Sequence, residues 1–171
     1  FKDILENNQI GKVGHNIKFD YKVLQATSTI IVQPIATDTM LAAYVLNPGY
    51  RGNGLDSLAF AEFGYEMMPY EEMVGKGKKE LPITEVPIRK LAFYAAEDAD
   101  YTWRLYETLL PRIQQAKLEE TLELEVDLIP VLAAMETAGV SVNVPFLNKM
   151  STQLGKIIVG FDQPKIRQLL A

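Results

Sequence analysis

The sequence predicts an α/β layered domain followed by a mainly helical segment. Up to about residue 112, short runs rich in β-branched residues alternate with stretches whose apolar residues recur at helical spacing. From residue 113 onward the pattern is mostly helical. Of the 171 residues, 48% are hydrophobic, which is enough to bury the core of one domain and part of another.

The composition restricts the kinds of site that the chain can build. It carries 17 Lys and Arg against 22 Asp and Glu, a net charge of −5, which argues against a broad basic DNA-binding face. There is no cysteine and only one histidine, His15, so a metal would have to be held by carboxylates. The sequence shows neither a secretion leader nor an apolar run near eighteen residues, which predicts a cytoplasmic protein.

Helices and extended segments alternate in the first part of the chain. In order, the predicted elements are a helix over residues 1–8, a strand over 10–14, a helix over 16–24, an extended segment over 30–35 and a helix over 39–46. Pro34 has no N–H to donate, which favours a position near a sheet edge. Asp38 is expected to cap the helix that follows it.

Turn residues and prolines divide the rest of the chain. The predicted elements are a loop over 47–54, a helix over 55–63, an irregular mobile stretch over 69–87, a helix over 87–110 that stops at Pro111, a helix over 113–138 bent at Pro130, a strand over 140–144, a helix over 145–158 and a last amphipathic piece over 161–171. Gly139 is expected to end the long helix in a left-handed conformation.

Two pairs of polar residues have a spacing that puts both side chains on one helix face. Asn16 and Asp20 are four apart just after a predicted strand, where α/β folds commonly carry their sites. Tyr94 and Asp98 repeat the spacing on a second helix, and alanines flank the aspartate so that the helix can pack closely. Most such pairs are solvated surface, so the spacing alone does not establish a site.

Other polar residues have simpler explanations. His15 fits a βα-turn residue that bonds the backbone, and Asp38 fits a helix cap. Asp100 lies two residues from Asp98 and therefore faces about 200° away from it. Lys76, Lys78 and their neighbours are either a solvated loop or a phosphate contact.

Several segments resemble the proofreading 3′ to 5′ exonuclease domain of bacterial DNA polymerase I, a family A polymerase with a DEDDy nuclease site of ribonuclease H-like fold. Residues 14–20 (GHNIKFD) resemble the second nuclease motif, and residues 94–98 (YAAED) resemble the third. Further similar segments are residues 38–47, 55–59, 72–78 and 125–140. The resemblance covers roughly residues 1–150.

The resemblance implies hydrolysis at single-stranded 3′ ends of DNA by two divalent cations, Mg²⁺ or Mn²⁺, about 4 Å apart. Asp98 would bind a metal directly, Asp20 would hold the second metal through water, and the Tyr94 hydroxyl would orient the attacking water. Asn16 would support the Asp20 loop and the DNA backbone, and Tyr70 would stack on the terminal bases. The expected partners are a single-stranded 3′ end and, through the parent polymerase, primer–template DNA, bound by a monomer.

One part of the family pattern is missing. The first motif, Asp-x-Glu on the first strand, would precede the present residues, and Asp3 and Glu6 have the wrong spacing for it. The chain is therefore expected to be an amino-terminally truncated nuclease domain over residues 1–112, followed over 113–171 by a linker helix and the start of the polymerase thumb. With so few carboxylates, little or no nuclease activity is expected from these residues alone.

Two other functions remain open from the sequence. The domain would serve as a structural or DNA-guiding module if its nuclease site were degenerate. An RNA-processing DEDDy exonuclease is a further alternative, which the polymerase-like residues 125–140 disfavour.

Overall fold

The computed structural model of the protein describes residues 1–77 and 80–161. Its elements are α1 (Lys2–Leu5), β1 (Lys12–Gly14), α2 (Ile17–Ser28), β2 (Ile35–Asp38), α3 (Thr39–Leu46), α4 (Leu55–Phe63), α5 (Tyr70–Val74), a 3₁₀ turn (Ile83–Glu85), α6 (Ile88–Ala116), α7 (Glu119–Ala138) and α8 (Val144–Phe161). The predicted α/β class is confirmed, with helices predominating over a small parallel sheet. None of the helices in the described ranges combines the length and apolarity needed to cross a membrane.

The pairing of the two strands brings the turn after β1 and the start of α3 to the same edge of the sheet. Strands β1 and β2 pair in parallel, with Val13 opposite Thr37 and Gly14 opposite Asp38. Because both strands run in the same direction, their carboxyl ends lie side by side. The turn after Gly14 therefore meets the start of α3.

The core of the first compact unit, Phe1–Thr137, surrounds α6. This helix contacts β1, α3, α4 and α5, and it buries one stripe at four-residue intervals: Leu105, Leu109 and Ile113. A smaller cluster of Met73, Val74 and Val86 packs with partly buried side chains that include Tyr94. The packing fixes α6, which carries half of the predicted site.

The second compact unit begins at Ala138. Gly139 has a φ of 69° and adopts the left-handed conformation predicted for a residue that follows a helix. Helix α8 begins at Val144, and the Phe146 amide donates to Asn143 Oδ1 at 3.0 Å near its start, so the predicted helix over 145–158 is confirmed.

Helix α6 corrects one boundary. It continues through Pro111 to Ala116, so the predicted stop at residue 110 is wrong. A proline inside a helix costs about 3 kcal/mol. Ile113 lies beyond the proline and is fully buried, and burying such a side chain contributes about 1.5–3 kcal/mol, which offsets most of that cost.

Three other predicted segments also differ. Residues 140–143 form no strand, because the described part of the second unit contains no strand with which they could pair. The stretch over 69–87 is not wholly irregular, since it contains α5 and the 3₁₀ turn. Strand β2 begins only after Pro34, where every residue again has an N–H to donate. The last predicted piece lies almost wholly outside the described residues, and the domain boundary at residue 112 stays a prediction.

Candidate active site

A cavity of about 820 Å³ opens at the carboxyl end of β1 and is walled by α2, α4, α5 and α6. It brings together five of the residues singled out from the sequence: Asn16, Asp20, Tyr70, Tyr94 and Asp98. The two i,i+4 pairs therefore face one space, as the location of the strand ends predicts.

Asn16 joins β1 to α2 in an unusual conformation. Its φ of 56° and ψ of 42° are left-handed, which asparagine tolerates better than most residues. The chain turns there directly into α2, whose first turn carries Asp20. The conformation of this one residue thus sets where Asp20 lies relative to the strand.

The buried carboxylate of Asp38 holds that turn in place. It caps α3, as predicted, by accepting from the amides of Met40 at 2.8 Å and Leu41 at 3.3 Å. It also accepts from the amides of Asn16 at 3.1 Å and Ile17 at 2.8 Å. Only 1% of Asp38 is exposed. One carboxylate therefore satisfies the first amides of two helices, and sequence reasoning found only one of them.

His15 lies in the same βα turn, as expected, and lines the cavity. Its Nδ1 is 2.9 Å from Thr39 Oγ1, and that hydroxyl also donates to the Gly14 carbonyl at 3.2 Å. Burial lowers the pKa of His15, outweighing the opposite effects of the Asp38 charge and the Asn53 backbone. The imidazole is therefore neutral at pH 7 and joins β1 to α3.

The ionisable groups facing the cavity have shifted pKa values. Burial raises the pKa of Asp98, and the charges of Glu97 and Asp20 raise it further. Burial also raises the pKa of Asp20, with a contribution from Asp38. The pKa of the Tyr94 phenol is raised by burial and by Asp98, so this hydroxyl stays protonated at neutral pH.

The donor chemistry of this site fits a divalent cation. Asp20 and Asp98 offer hard oxygen ligands whose mutual repulsion a cation would relieve, and no Lys or Arg is found among the described lining residues. Across residues 1–77 and 80–161, no group of three or more His, Asp or Glu side chains is arranged to hold a metal. Four carboxylates line the cavity, and of these Asp20 and Asp98 are the two that belong to the motifs singled out from the sequence.

Glu97 is a structural support that the sequence analysis missed. It is 7% exposed, and its carboxylate accepts from the Tyr65 hydroxyl at 2.8 Å and from the Met68 amide at 2.9 Å. These bonds tie the segment before α5 to α6 next to Asp98. That segment forms one wall of the cavity through Met67, Met68 and Pro69.

The aromatic and basic residues named from the sequence have different positions. Tyr70 begins α5 and is 48% exposed at the cavity. Trp103, which lies within the helix predicted over 87–110, also lines the cavity. Lys76 is exposed and does not line it. Lys78 lies outside the described residues.

Curated proteins similar to this chain are much longer than it. DNA polymerase I of Rhizobium leguminosarum is 38% identical over 156 residues, which cover 91% of this chain and 15% of that protein. DNA polymerase I of Pseudomonas aeruginosa is 36% identical over 165 residues, 95% of this chain and 18% of that protein. The chain spans less than a fifth of these relatives.

Solved structures and family models give the fold and the family. Brucella melitensis NrnC matches with a TM-score of 0.68 at 20% identity, covering 80% of this chain and 63% of that one, which supports the ribonuclease H-like fold. The family model described as 3′-5′ exonuclease matches residues 1–114. With two thirds of its length matched by that model and its nuclease-type motifs facing one cavity, the chain belongs to the 3′-5′ exonuclease family found in DNA polymerase I.

Proposed function

We propose that the chain is part of a domain that hydrolyses the 3′-terminal phosphodiester of single-stranded DNA. The observation that carries this proposal is the shared cavity of Asp20, Tyr94 and Asp98, which is acidic and has neither Lys nor Arg among its described lining residues. The choice of DNA over RNA rests on the relatives, which are DNA polymerases. Hydrolysis breaks the bond between phosphorus and the 3′ oxygen and releases a nucleoside 5′-monophosphate.

Each site residue has a proposed task in this reaction. Asp98 would hold one divalent cation, Mg²⁺ or Mn²⁺, directly, and Asp20 would hold a second through water. The cations would supply activation of water and stabilisation of the departing 3′ oxygen. The Tyr94 hydroxyl, kept protonated by its raised pKa, orients the attacking water by hydrogen bonding. Asn16 supports the DNA backbone, and Tyr70 stacks on a terminal base.

Phosphate contacts beyond the cavity are proposed for Lys76 and Lys78. In a longer protein the partner would also include primer–template DNA, and we propose that the protein is cytoplasmic and monomeric. Because two carboxylates bind Mg²⁺ weakly, we propose that the 171 residues by themselves have weak or no nuclease activity.

The test measures loss of 3′ nucleotides from a 5′-labelled single-stranded DNA in Mn²⁺, with the same sequence as RNA for comparison. Asp98→Ala is the test variant, and Asp100→Ala is its matched control, since Asp100 is exposed on the same helix and pairs with Arg104. We expect weak cleavage or none, and any cleavage should vanish only in Asp98→Ala. Cleavage that Asp98→Ala retains would refute the proposed site.

Binding of Mn²⁺, followed by the loss of its free-ion paramagnetic resonance signal, tests the same site without catalysis. The unchanged chain and Asp100→Ala should bind the ion, and Asp98→Ala should bind it at least tenfold more weakly. If DNA binds at the cavity but Mn²⁺ does not, the alternative of a DNA-guiding module without nuclease chemistry would be favoured instead.

A further inference from the structure

Trp103 is the only tryptophan of the chain, and its side chain lines the cavity without belonging to either described hydrophobic core cluster. It is 52% exposed on α6, and its indole is in contact with Tyr106 at a centroid distance of 5.1 Å and an interplanar angle of 38°. Single exposed aromatic residues are common on protein surfaces. What distinguishes Trp103 is that it borders the same space as Asp98.

Among the described lining residues of α6, Tyr94 is the first along the helix and Trp103 the last. At 100° and 1.5 Å per residue, Trp103 lies about 180° around the helix from Tyr94 and about 13.5 Å farther along it. Small side chains line the helix face between them, those of Ala95, Ala99 and Thr102. Short side chains therefore separate the two aromatic residues along this wall of the cavity.

Tyr70 and Trp103 are therefore associated with different parts of α6 along the cavity. Tyr70 begins α5, and Met73 and Val74 of that helix pack in one cluster with Tyr94. Trp103 lies about 7.5 Å along the helix axis from Asp98, on the side away from Tyr94. A ligand that reached both aromatic side chains would have to be longer than one nucleotide unit.

The charge of the cavity makes aromatic contacts more important. Its described lining contains the carboxylates of Asp20, Asp56, Glu71 and Asp98 and neither lysine nor arginine. A DNA phosphate therefore gains no attraction from these walls except through a bound cation. Stacking of bases on aromatic rings does not depend on charge or on base identity.

We propose that Trp103 is a second base-stacking position, used by a nucleotide other than the one that stacks on Tyr70. This inference rests on the proposed function, since it assumes a single-stranded nucleic acid in the cavity. Its consequence is a preference for oligonucleotides over mononucleotides. The chain would bind a single-stranded DNA through two separated bases, while the phosphates near Asp98 would be bound through cations.

The test compares binding of oligo(dT) of four nucleotides with binding of thymidine 5′-monophosphate, both in Ca²⁺, for the chain and for Trp103→Ala. The variant should bind the tetranucleotide about 5- to 150-fold more weakly and the monophosphate with unchanged affinity. Trp103→Phe, which keeps an aromatic face, should bind the tetranucleotide within about threefold of the original chain. Phe93→Ala is the matched control, an exposed aromatic on α6 that does not line this cavity, and should bind normally.

The intrinsic fluorescence of Trp103 gives a readout that requires no variant. The tetranucleotide should quench it and the monophosphate should not. If the chain binds the tetranucleotide without quenching and Trp103→Ala binds it equally well, the inference is wrong while the proposed function stands. If the chain binds neither ligand under these conditions, both the inference and the proposed function are refuted.

Discussion

Replacing Asp38 with alanine should destabilise the first compact unit by about 3 kcal/mol. The change removes the acceptor of four amides, two at the start of α2 and two at the start of α3. Loss of a helix cap costs about 1 kcal/mol. Each of the two amides on the α2 side, left without its partner in a partly buried position, adds about 1 kcal/mol.

Thermal unfolding followed by circular dichroism would measure this loss. For a protein of this size 1 kcal/mol shifts the Tm by about 2–4 °C, so Asp38→Ala should unfold about 6–12 °C lower. Asp38→Ser separates the two roles, because a serine hydroxyl can cap α3 but is too short to reach the Asn16 turn, and it should lose about 2 kcal/mol. Asp127→Ala, an exposed site on α7, is the control and should stay within about 0.5 kcal/mol.

A particular pattern of results would refute the reasoning. If Asp38→Ala and Asp127→Ala unfolded at the same temperature, the buried bonds would contribute nothing beyond what water supplies. If Asp38→Ser were as unstable as Asp38→Ala, the cap on α3 would not be separable from the bonds to α2.

Three further outcomes are expected. Asp98→Asn should raise the Tm in the absence of metal, because folding raises the pKa of Asp98 and the ionised carboxylate therefore costs stability at a pH above that pKa. The gain in Tm should grow from pH 4 to pH 7. The Tm increase that Mn²⁺ causes should be smaller in Asp98→Asn than in the original chain. Glu136→Gln should lower the Tm at pH 7 but not near pH 2, because hydrogen bonds from Lys18 and Lys22 lower the pKa of Glu136 to about 2. The stability that comes from a lowered pKa is lost as the pH falls through that pKa. An equal loss of Tm at both pH values would contradict this explanation. Leu105→Ala should cost about 2–5 kcal/mol in urea unfolding, since Leu105 is fully buried, and a cost under 1 kcal/mol would show that α6 is not central to the core.

Local signals in the sequence were sufficient for the features that depend on neighbouring residues. The helix over 55–63, the cap at Asp38 and the left-handed Gly139 are all set by residues within one turn, and all three are confirmed. Helix α6 was misjudged at Pro111 because the burial of Ile113 against distant residues is not visible in its own segment. The alternating residues 140–144 lacked a partner strand, which no local pattern can supply.

The candidate site shows the same division. The i,i+4 spacing of Tyr94 with Asp98 identified the face of α6 that lines the cavity. Asn16 also lines it with Asp20, but from the left-handed turn before α2 and not from the helix face that the sequence predicted. Glu97 could not be recognised, because its partners Tyr65 and Met68 lie about thirty residues away along the chain. The bonds from Asp38 to the Asn16 turn likewise depend on the parallel register of two strands. The tasks assigned to the site residues stay predictions.

The buried acids and the acidic cavity fit together as one arrangement. The carboxylates of Asp38 and Glu97 hold the Asn16 turn and the wall before α5 by accepting hydrogen bonds, and they also raise the pKa values of Asp20 and Asp98 respectively. Asp38 and Glu97 therefore disfavour both the ionised form of Asp20 and Asp98 and the approach of a phosphate. Only a bound cation can reverse this electrostatic penalty. A DNA strand would then be retained by stacking on aromatic side chains of the cavity, which carry no charge, and its phosphates would be admitted only together with metal. On this view, binding of a mononucleotide should depend more steeply on divalent cations than binding of an oligonucleotide that reaches Trp103.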